Sequence, residues 1–381
     1  MLHATSIEPG AAPRGRVAVA MSGGVDSSVA AALLVEQGHD VIGVHMKLHD
    51  APQAERRDKS CCSLDDALDA RQVCARLGIP FYVLDFQERF RERVIDYFVA
   101  AYRAGQTPNP CVMCNQSIKN ATLLDAVREF GCEYLATGHY AAKRRHPETG
   151  AWELVRPRDR RKDQTYFLFG TPRDELPWLL YPLAAHEKAE TRAVAERHAF
   201  LTWNKPDSQE VCFVPRDYRA FLRERMGAAL PLPGEFVDRA GRVLGTHQGL
   251  AFYTVGQRRG LGVQGPGGQG MAPLYVVALR PERNQVVLGA ETELYAGGAD
   301  VRQVNWVSRD PIAVPIAADV KVRYAHEGTR ARLVPAPRPD DATALRVEFA
   351  GPVRAVTPGQ AAVFYDGDVL LGGGWIAAAL D

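Results

Sequence analysis

The stretch Ser22-Gly23-Gly24-Val25-Asp26-Ser27-Ser28 places three hydroxyls, two glycines and a carboxylate in seven positions. Glycines let a backbone approach a ligand without Cβ clashes, and serine hydroxyls add donors, so the chemistry suited to this stretch is the binding of an anion. Its flanks agree. Val17 to Ala20 is a short apolar run that reads as a buried strand, while Val29, Ala30, Leu33 and Leu34 fall at helical spacing and Gly38 supplies a stop. Strand, glycine loop and helix start together aim N–H groups and the positive end of the helix dipole at a phosphate. The loop has neither the Lys before Ser/Thr of the Walker pattern nor a G-x-G-x-x-G. A plain Ser/Gly turn is the competing reading, and the strand–loop–helix order speaks against it.

The seven cysteines are not equivalent. Cys74 shares the apolar face of a helix with Val73 and Leu77 and reads as a packed core thiol. Cys132 enters a buried strand and reads the same way, and the pair Cys61-Cys62 beside a polar loop leans structural. Cys111 and Cys114 form C-x-x-C after Pro108-Asn109-Pro110, where backbone amides and a helix start can lower a thiol pKa. That spacing admits a redox pair, half a zinc site or cluster ligands, and no second C-x-x-C or His pair completes a zinc set. Cys212 lies where the polar Asp207-Ser208-Gln209-Glu210 leads into an apolar run, as a nucleophile on a loop would.

The elements that position these groups alternate. Strand Asp40–Met46 completes a βαβ unit of the parallel kind. Ala51 to Ser60 is a polar loop, Ser63 an N-cap with Asp65 and Asp66 in the first turn, and a helix runs to Gly78. Strand Phe81–Leu84 and helix Arg89–Tyr102 follow. A break at Gly105 to Pro110, a helix from about Ile118 to Phe130 and strand Tyr134–Thr137, ending at Gly138-His139-Tyr140, complete a doubly wound, mainly parallel α/β sheet with its ligand groups after strand C-termini. From Asp163 the pattern reads helical to about Phe200. Beyond Pro231 short β-rich runs take over, at 234–237, 274–279 and 285–289, with Gly260 to Gly270 a mobile loop. The alternation at 319–324 and 345–349 suggests a small barrel or sandwich. The expected domains are a leader (1–15), a catalytic α/β domain (16–207), a central β-containing domain (208–289) and a C-terminal β-barrel (290–381).

Composition is that of a globular protein, 46% apolar and 24% charged, with 381 residues, enough for two or three domains. A net charge of +1 means that any nucleic-acid footprint is local. Residues 143–162 offer one, with eight Lys/Arg against three acids. A solvated hairpin or a phosphate-backbone contact would each explain it. Met1 to Gly15 has no apolar h-region and reads as a loose leader. No run reaches the length of a membrane span, and an odd cysteine count without a signal peptide predicts reduced thiols in the cytoplasm.

The loop resembles that of the ATP pyrophosphatases. With Thr107-Pro108-Asn109-Pro110, Cys114-Asn115, Gly138-His139-Tyr140, Lys162-Asp163-Gln164-Thr165-Tyr166, Ser208-Gln209-Glu210-Val211-Cys212, the run from Tyr253 to Gly262, Arg323-Tyr324 and Thr357-Pro358-Gly359-Gln360, the chain resembles the tRNA-specific 2-thiouridylases almost end to end. The resemblance implies that ATP, with Mg²⁺, sits on Ala20, Met21, Ser22, Gly23, Gly24, Val25, Asp26 and Ser27, with Met46 and Gly138 around the adenosine. The C2 oxygen of the wobble uridine attacks the α-phosphate, and pyrophosphate leaves. Cys212 then delivers sulfur as a persulfide, and Cys114 resolves it by forming a disulfide. The persulfide comes from a sulfur-relay protein or cysteine desulfurase. Asn109, Pro110 and Cys111 contact the base; His139, Lys162, Asp163, Gln164, Arg323, Tyr324 and Gln360 contact the anticodon arm of the tRNA. No membrane partner is implied.

One position departs from the family. Much of it has Asp where this chain has Cys111, and there the Asp is a candidate general base. A thiolate could take that role, or Cys111, Cys114 and Cys212 could ligate a [4Fe–4S] cluster with one open iron for sulfide. Both schemes stay open on sequence. A small-molecule pyrophosphatase would share the loop but needs neither the basic segment nor the paired cysteines. A non-enzymatic RNA-binding protein leaves the loop unexplained.

Overall fold

The computed structural model describes residues 15–49, 64–207, 211–214, 217–227, 230–263 and 273–381. The leader up to residue 14, the 51–60 loop, Cys61-Cys62, the N-cap at Ser63, Ser208-Gln209-Glu210 and the 264–270 part of the expected mobile loop lie outside the described residues.

The first sheet is built from β1 (Arg16–Ala20), β2 (Val41–Lys47), β3 (Phe81–Asp85) and β4 (Cys132–Thr137). A hairpin follows, β5 (Ala142–Arg145) and β6 (Trp152–Val155), and then the short β7 (Leu179–Leu180) returns to the sheet. The order is β3-β2-β1-β4-β7 and every pairing is parallel. Val17, Ala18 and Val19 are fully buried, because helices cover both faces and a central parallel strand has no solvent side. Val17 and Val19 pack with α1 (Val25–Glu36), α2 (Leu64–Leu77) and α7 (Lys188–Arg197), whereas Ala18 packs into the core under the helices of the other face. The sheet is therefore doubly wound. Its strand order reverses at β1, so the crevice beyond the carboxyl ends of β1 and β4 is the topological switch point where α/β sheets bind ligands.

The other face carries two long helices, each with a wider π turn inside. One runs from α3 (Gln87–Phe90) through Arg91–Ile95 into α4 (Asp96–Arg103). The second runs from α5 (Pro110–Cys114) through Asn115–Thr122 into α6 (Leu123–Glu129). It starts earlier than the 118–130 pattern predicts, because the Pro-Asn-Pro sequence begins a helix. Asn109 is the N-cap, its side chain accepting the Val112 N–H at 3.3 Å, and Pro110 occupies the first turn, where its missing N–H costs nothing.

The helix expected over 163–200 is corrected. Pro172, Pro177 and Pro182 break it, leaving 3-10 turns at Thr165–Leu168 and Leu176–Trp178, strand β7, and only α7, started by a reciprocal Glu187–Glu190 capping box. After α8 (Tyr218–Met226), the strands β8 (Gly234–Val237), β9 (Val243–His247), β10 (Tyr275–Arg280) and β11 (Gln285–Gly289) form a small sheet in the order β10-β11-β8-β9. The remaining strands, β12 (Tyr295–Trp306), β13 (Ile316–Lys321), β14 (Thr329–Pro335), β15 (Leu345–Arg354), β16 (Ala361–Asp366) and β17 (Val369–Leu380), close into a barrel through the β12–β17 pairing. Closure removes the open sheet edges. The β5–β6 hairpin adds to this barrel through β17, with Val155 opposite Val369, so a segment inserted in the α/β region is built into the C-terminal sheet. Among the described residues no helix is long and apolar enough to cross a membrane.

Candidate active site

The switch-point crevice is filled from one side by the serine–glycine loop. Ser27 Oγ accepts the Ser22 N–H at 3.2 Å and donates to the Gly24 carbonyl at 3.1 Å, and Ser28 Oγ donates to that carbonyl at 2.9 Å. These bonds fold the loop on itself at the start of α1. Gly23 has φ +73°, and a Cβ there would meet the Asp66 carbonyl oxygen at 2.3 Å. From the end of β4, Gly138 presses on the loop so closely that a Cβ would lie 2.7 Å from the Ser27 nitrogen. Both positions therefore require glycine. Met46 is buried on neighbouring β2, and its neighbour His45 contacts the Met21 carbonyl through Nδ1 at 2.8 Å.

Charge surrounds the loop. Asp26 is pushed up by burial and drawn back by Lys188, whose Nζ is 2.6 Å from it. Lys188 also reaches Asp207 at 2.7 Å, and Lys162 reaches the same carboxylate at 2.9 Å. Burial alone would raise Asp207, but the hydrogen bonds from these two lysines hold it below the usual carboxylate range. Lys205 clips the loop to α2, donating to the Gly23 carbonyl at 3.0 Å and to Asp66 and Asp69 at 2.7 Å each. Sequence reasoning missed Lys188, Lys205 and Tyr140. Tyr140 stands in the Gly138-His139-Tyr140 motif without a role assigned to it, whereas nothing local marks Lys188 and Lys205, which are far in sequence from the loop they serve.

Of the cysteines, Cys74 and Cys132 are buried, and burial pushes their thiols up to about 12 and about 11. Cys111 is exposed on the first turn of α5, and Cys114 and Cys212 are half-buried. Phe213, the neighbour of Cys212, is anchored edge-on to Phe90 and Phe98 at 5.7 and 5.2 Å. The α3–α4 helix thereby supports the Cys212 segment. Among the described residues no three His, Cys, Asp or Glu side chains gather closely enough to hold a metal ion. Cys111, Cys114 and Cys212 do not form a single-ion site of that kind.

The turn before α5 is clamped from two other parts of the chain. Gln360 Nε2 donates to the carbonyls of Thr107 at 3.0 Å and Pro108 at 3.3 Å, and the Thr107 N–H donates to the Pro358 carbonyl at 2.9 Å. Thr107 Oγ1 also donates to Thr254 Oγ1 at 3.3 Å. The Asn109 side chain lies near the buried Tyr166, whose hydroxyl donates to the Ala361 carbonyl at 3.2 Å and whose ring lies 6.0 Å from that of Tyr324, and Phe167 lies 4.7 Å from Tyr324. The structure thus brings residues 107–110, 162–167, 323–324 and 360 together.

Within this group Tyr324 is 41% exposed, while the Arg323 guanidinium donates to the Arg354 carbonyl at 2.9 Å. Asp163 is buried and paired with Arg156 at 2.7 Å, and Gln164 Oε1 accepts the Tyr140 N–H at 2.8 Å. The Asp163 carboxylate is thereby taken up inside the fold, and half-buried Gln164 is held there through its oxygen. His139 sits beside Thr137, with Nδ1 2.8 Å from its hydroxyl, and desolvation, then Lys119, keeps it well below the ordinary histidine range.

The basic segment 143–162 is a hairpin and turn whose charges are largely answered. Lys143 donates to the Leu176 and Pro177 carbonyls at 3.2 and 2.7 Å, Arg144 pairs with Glu153, Arg145 lies over Trp152, and Arg158 and Arg160 pair with Glu190 and Asp368. Among the described residues Arg161 shows no side-chain partner.

Residues 15–216 match the model described as the tRNA methyl transferase HUP domain, 219–290 the tRNA methyl transferase PRC-barrel domain, and 297–376 the aminomethyltransferase beta-barrel domain. The tRNA-specific 2-thiouridylase MnmA of Geobacter metallireducens is 49% identical over 381 residues, covering 96% of this chain and 98% of that protein. Its namesake from Symbiobacterium thermophilum is 46% identical over 374 residues, 96% and 93% of the two chains. Among solved structures, the U34-tRNA thiolase NcsA from Methanococcus maripaludis with its [4Fe-4S] cluster covers 56% of this chain and 65% of its own at 18% identity. The TM-score of that match is 0.32.

Proposed function

The chain belongs to the tRNA-specific 2-thiouridylase family, and from that premise we propose that it uses ATP to replace the C2 oxygen of the tRNA wobble uridine with sulfur. The observation that carries this reading is identity of 46–49% along nearly the whole length of thiouridylases. The loop geometry supplies a chemical reason.

A uridine carbonyl oxygen is a poor leaving group. Its attack on the α-phosphorus of ATP breaks the bond to the bridging oxygen, pyrophosphate departs with the electron pair, and O2 becomes part of a phosphoester that can leave as AMP. The N–H groups of the loop and the dipole of α1 hold the polyphosphate. Mg²⁺ would share in neutralising that charge, with Asp26 as the loop carboxylate to face it. The terminal sulfur of a Cys212 persulfide then attacks C2 and AMP leaves. The Cys114 thiolate attacks Cys212 Sγ, cleaving the S–S bond, so that the sulfur stays on the base and a Cys114–Cys212 disulfide forms. A thiol reductant must add two electrons to reset it. A sulfur-relay protein or cysteine desulfurase charges Cys212.

The 109–111 turn receives the base. His139, Lys162, Arg323, Tyr324 and Gln360 line the approach of the anticodon arm, with Asp163 and Gln164 fixing the turn that presents Lys162. The work is placed in the cytoplasm with the tRNA. The test is incubation of an unmodified tRNA transcript with ATP and a persulfide donor. One pyrophosphate per 2-thiouridine is expected; absence of pyrophosphate release would sink the reading.

A further inference from the structure

The phosphate loop contains no lysine, yet the fold brings one to it. Lys188 is the first residue of α7, 162 positions from Asp26, and its side chain is only 12% exposed. Its Nζ is held between Asp26 at 2.6 Å and Asp207 at 2.7 Å. The same turn of α7 is pinned to the loop a second time, because Tyr140 OH lies between Thr191 Oγ1 at 2.8 Å and Asp26 Oδ1 at 3.3 Å, donating to one or the other, with Lys188 above the Tyr140 ring at 5.8 Å.

The charge count separates this lysine from its neighbour. Lys205 faces two carboxylates, Asp66 and Asp69, and a backbone carbonyl, and is fully answered within the fold. Around Lys188 the carboxylates are shared: Lys188, Lys162 and Arg192 divide Asp26 and Asp207 between them, and Asp159 accepts the Lys188 backbone N–H at 3.0 Å. A self-contained structural pair needs no extra cation. A pocket that also offers helix N–H groups, beside cations that share their carboxylates, suits a ligand with several negative charges. Asp26 is the second residue of α1, so a cation resting on it is a side-chain rotation away from an anion at that helix start.

We propose that Lys188 is the phosphate-binding lysine of this loop, contacting the β- and γ-phosphates of ATP and meeting the charge that develops on pyrophosphate as it leaves. This rests on the ATP-dependent reading above. The bond formed is uridine O2 to the α-phosphorus, the bond broken is from the α-phosphorus to the bridging oxygen, and no proton or electron passes through Lys188.

The experiment compares the full chain with Lys188→Met and Lys188→Arg, measuring binding of ATP and of AMP and tRNA-dependent pyrophosphate release. The Met variant should lose about 100-fold in pyrophosphate release and weaken for ATP while AMP binding stays within about twofold, and Arg should restore most of the loss. AMP binding serves as the check on folding, since AMP lacks the phosphates in question. In a Lys188→Met variant that keeps the wild-type melting temperature, equal loss of ATP and AMP binding, or loss of neither, would overturn the role of Lys188 and leave the reaction standing. A wild-type chain that releases no pyrophosphate with tRNA would overturn both.

Discussion

The phosphate loop and the cysteine turn are built in opposite ways. The loop is folded largely from within: Ser22, Gly24, Ser27 and Ser28 satisfy one another within a few positions, and Lys205 is its distant clip. The turn at 105–110 is assembled. Thr254 comes from the central region, Pro358 and Gln360 from the barrel, and Tyr166 from the long connection after β4. Activation of ATP therefore depends on the parallel sheet and what touches it, whereas the turn that leads into Cys111 and Cys114 depends on Thr254 and Gln360, 147 and 253 positions from Thr107. Two half-reactions with separate structural supports should fail separately.

The largest effect should come from Gly23→Ala. Its Cβ would run into the Asp66 carbonyl at 2.3 Å, in a backbone conformation that disfavours side chains. Pyrophosphate release and thiolation should fall together, by about 10²-fold or more, as read by release assays on the folded variant. Cys212→Ser should abolish 2-thiouridine while pyrophosphate release with tRNA persists; loss of both would erase the contrast between the regions. Gln360→Ala removes two hydrogen bonds from the turn, each worth about 0.5–1.5 kcal/mol. It should lower the thiolation kcat by about tenfold with a smaller change in KM for tRNA. A change confined to KM would mean that Gln360 serves the tRNA alone and that the turn does not need it. Cys111→Asp should retain thiolation without added iron, since Cys111 stands exposed at the start of α5.

The smallest effect concerns stability. Burial lowers the Lys143 ammonium to about 7, below its ordinary value. A base whose folded-state pKa is depressed leaves the unfolded chain holding more protons between that value and about 10.4. Stability contributed at this site therefore rises with pH across that window and falls as pH drops toward 7. Lys143→Met should flatten the change in melting temperature between pH 10 and pH 7.

Legibility in the sequence followed the same division. The strands and the loop could be read because their signals are local: apolar runs, glycines and hydroxyls at short spacing. Cys74 and Cys132 were legible as core thiols from their apolar neighbours. Pro108-Asn109-Pro110 looked like a break because proline usually ends a helix, whereas here Asn109 and Pro110 begin one. The helical pattern across 163–200 gave way to three prolines. Lys188 was invisible, since only the tertiary fold carries it across to Asp26. The basic segment looked like a nucleic-acid footprint because charge can be counted from sequence, but its internal pairing cannot.

The most direct test of the central claim follows the oxygen that sulfur replaces. A tRNA transcript carrying ¹⁸O at C2 of the wobble uridine is turned over with ATP and a persulfide donor, and the products are weighed. The account predicts that the label appears in AMP, one atom per 2-thiouridine formed. Label in water, with unlabelled AMP, would contradict activation of that oxygen by the loop.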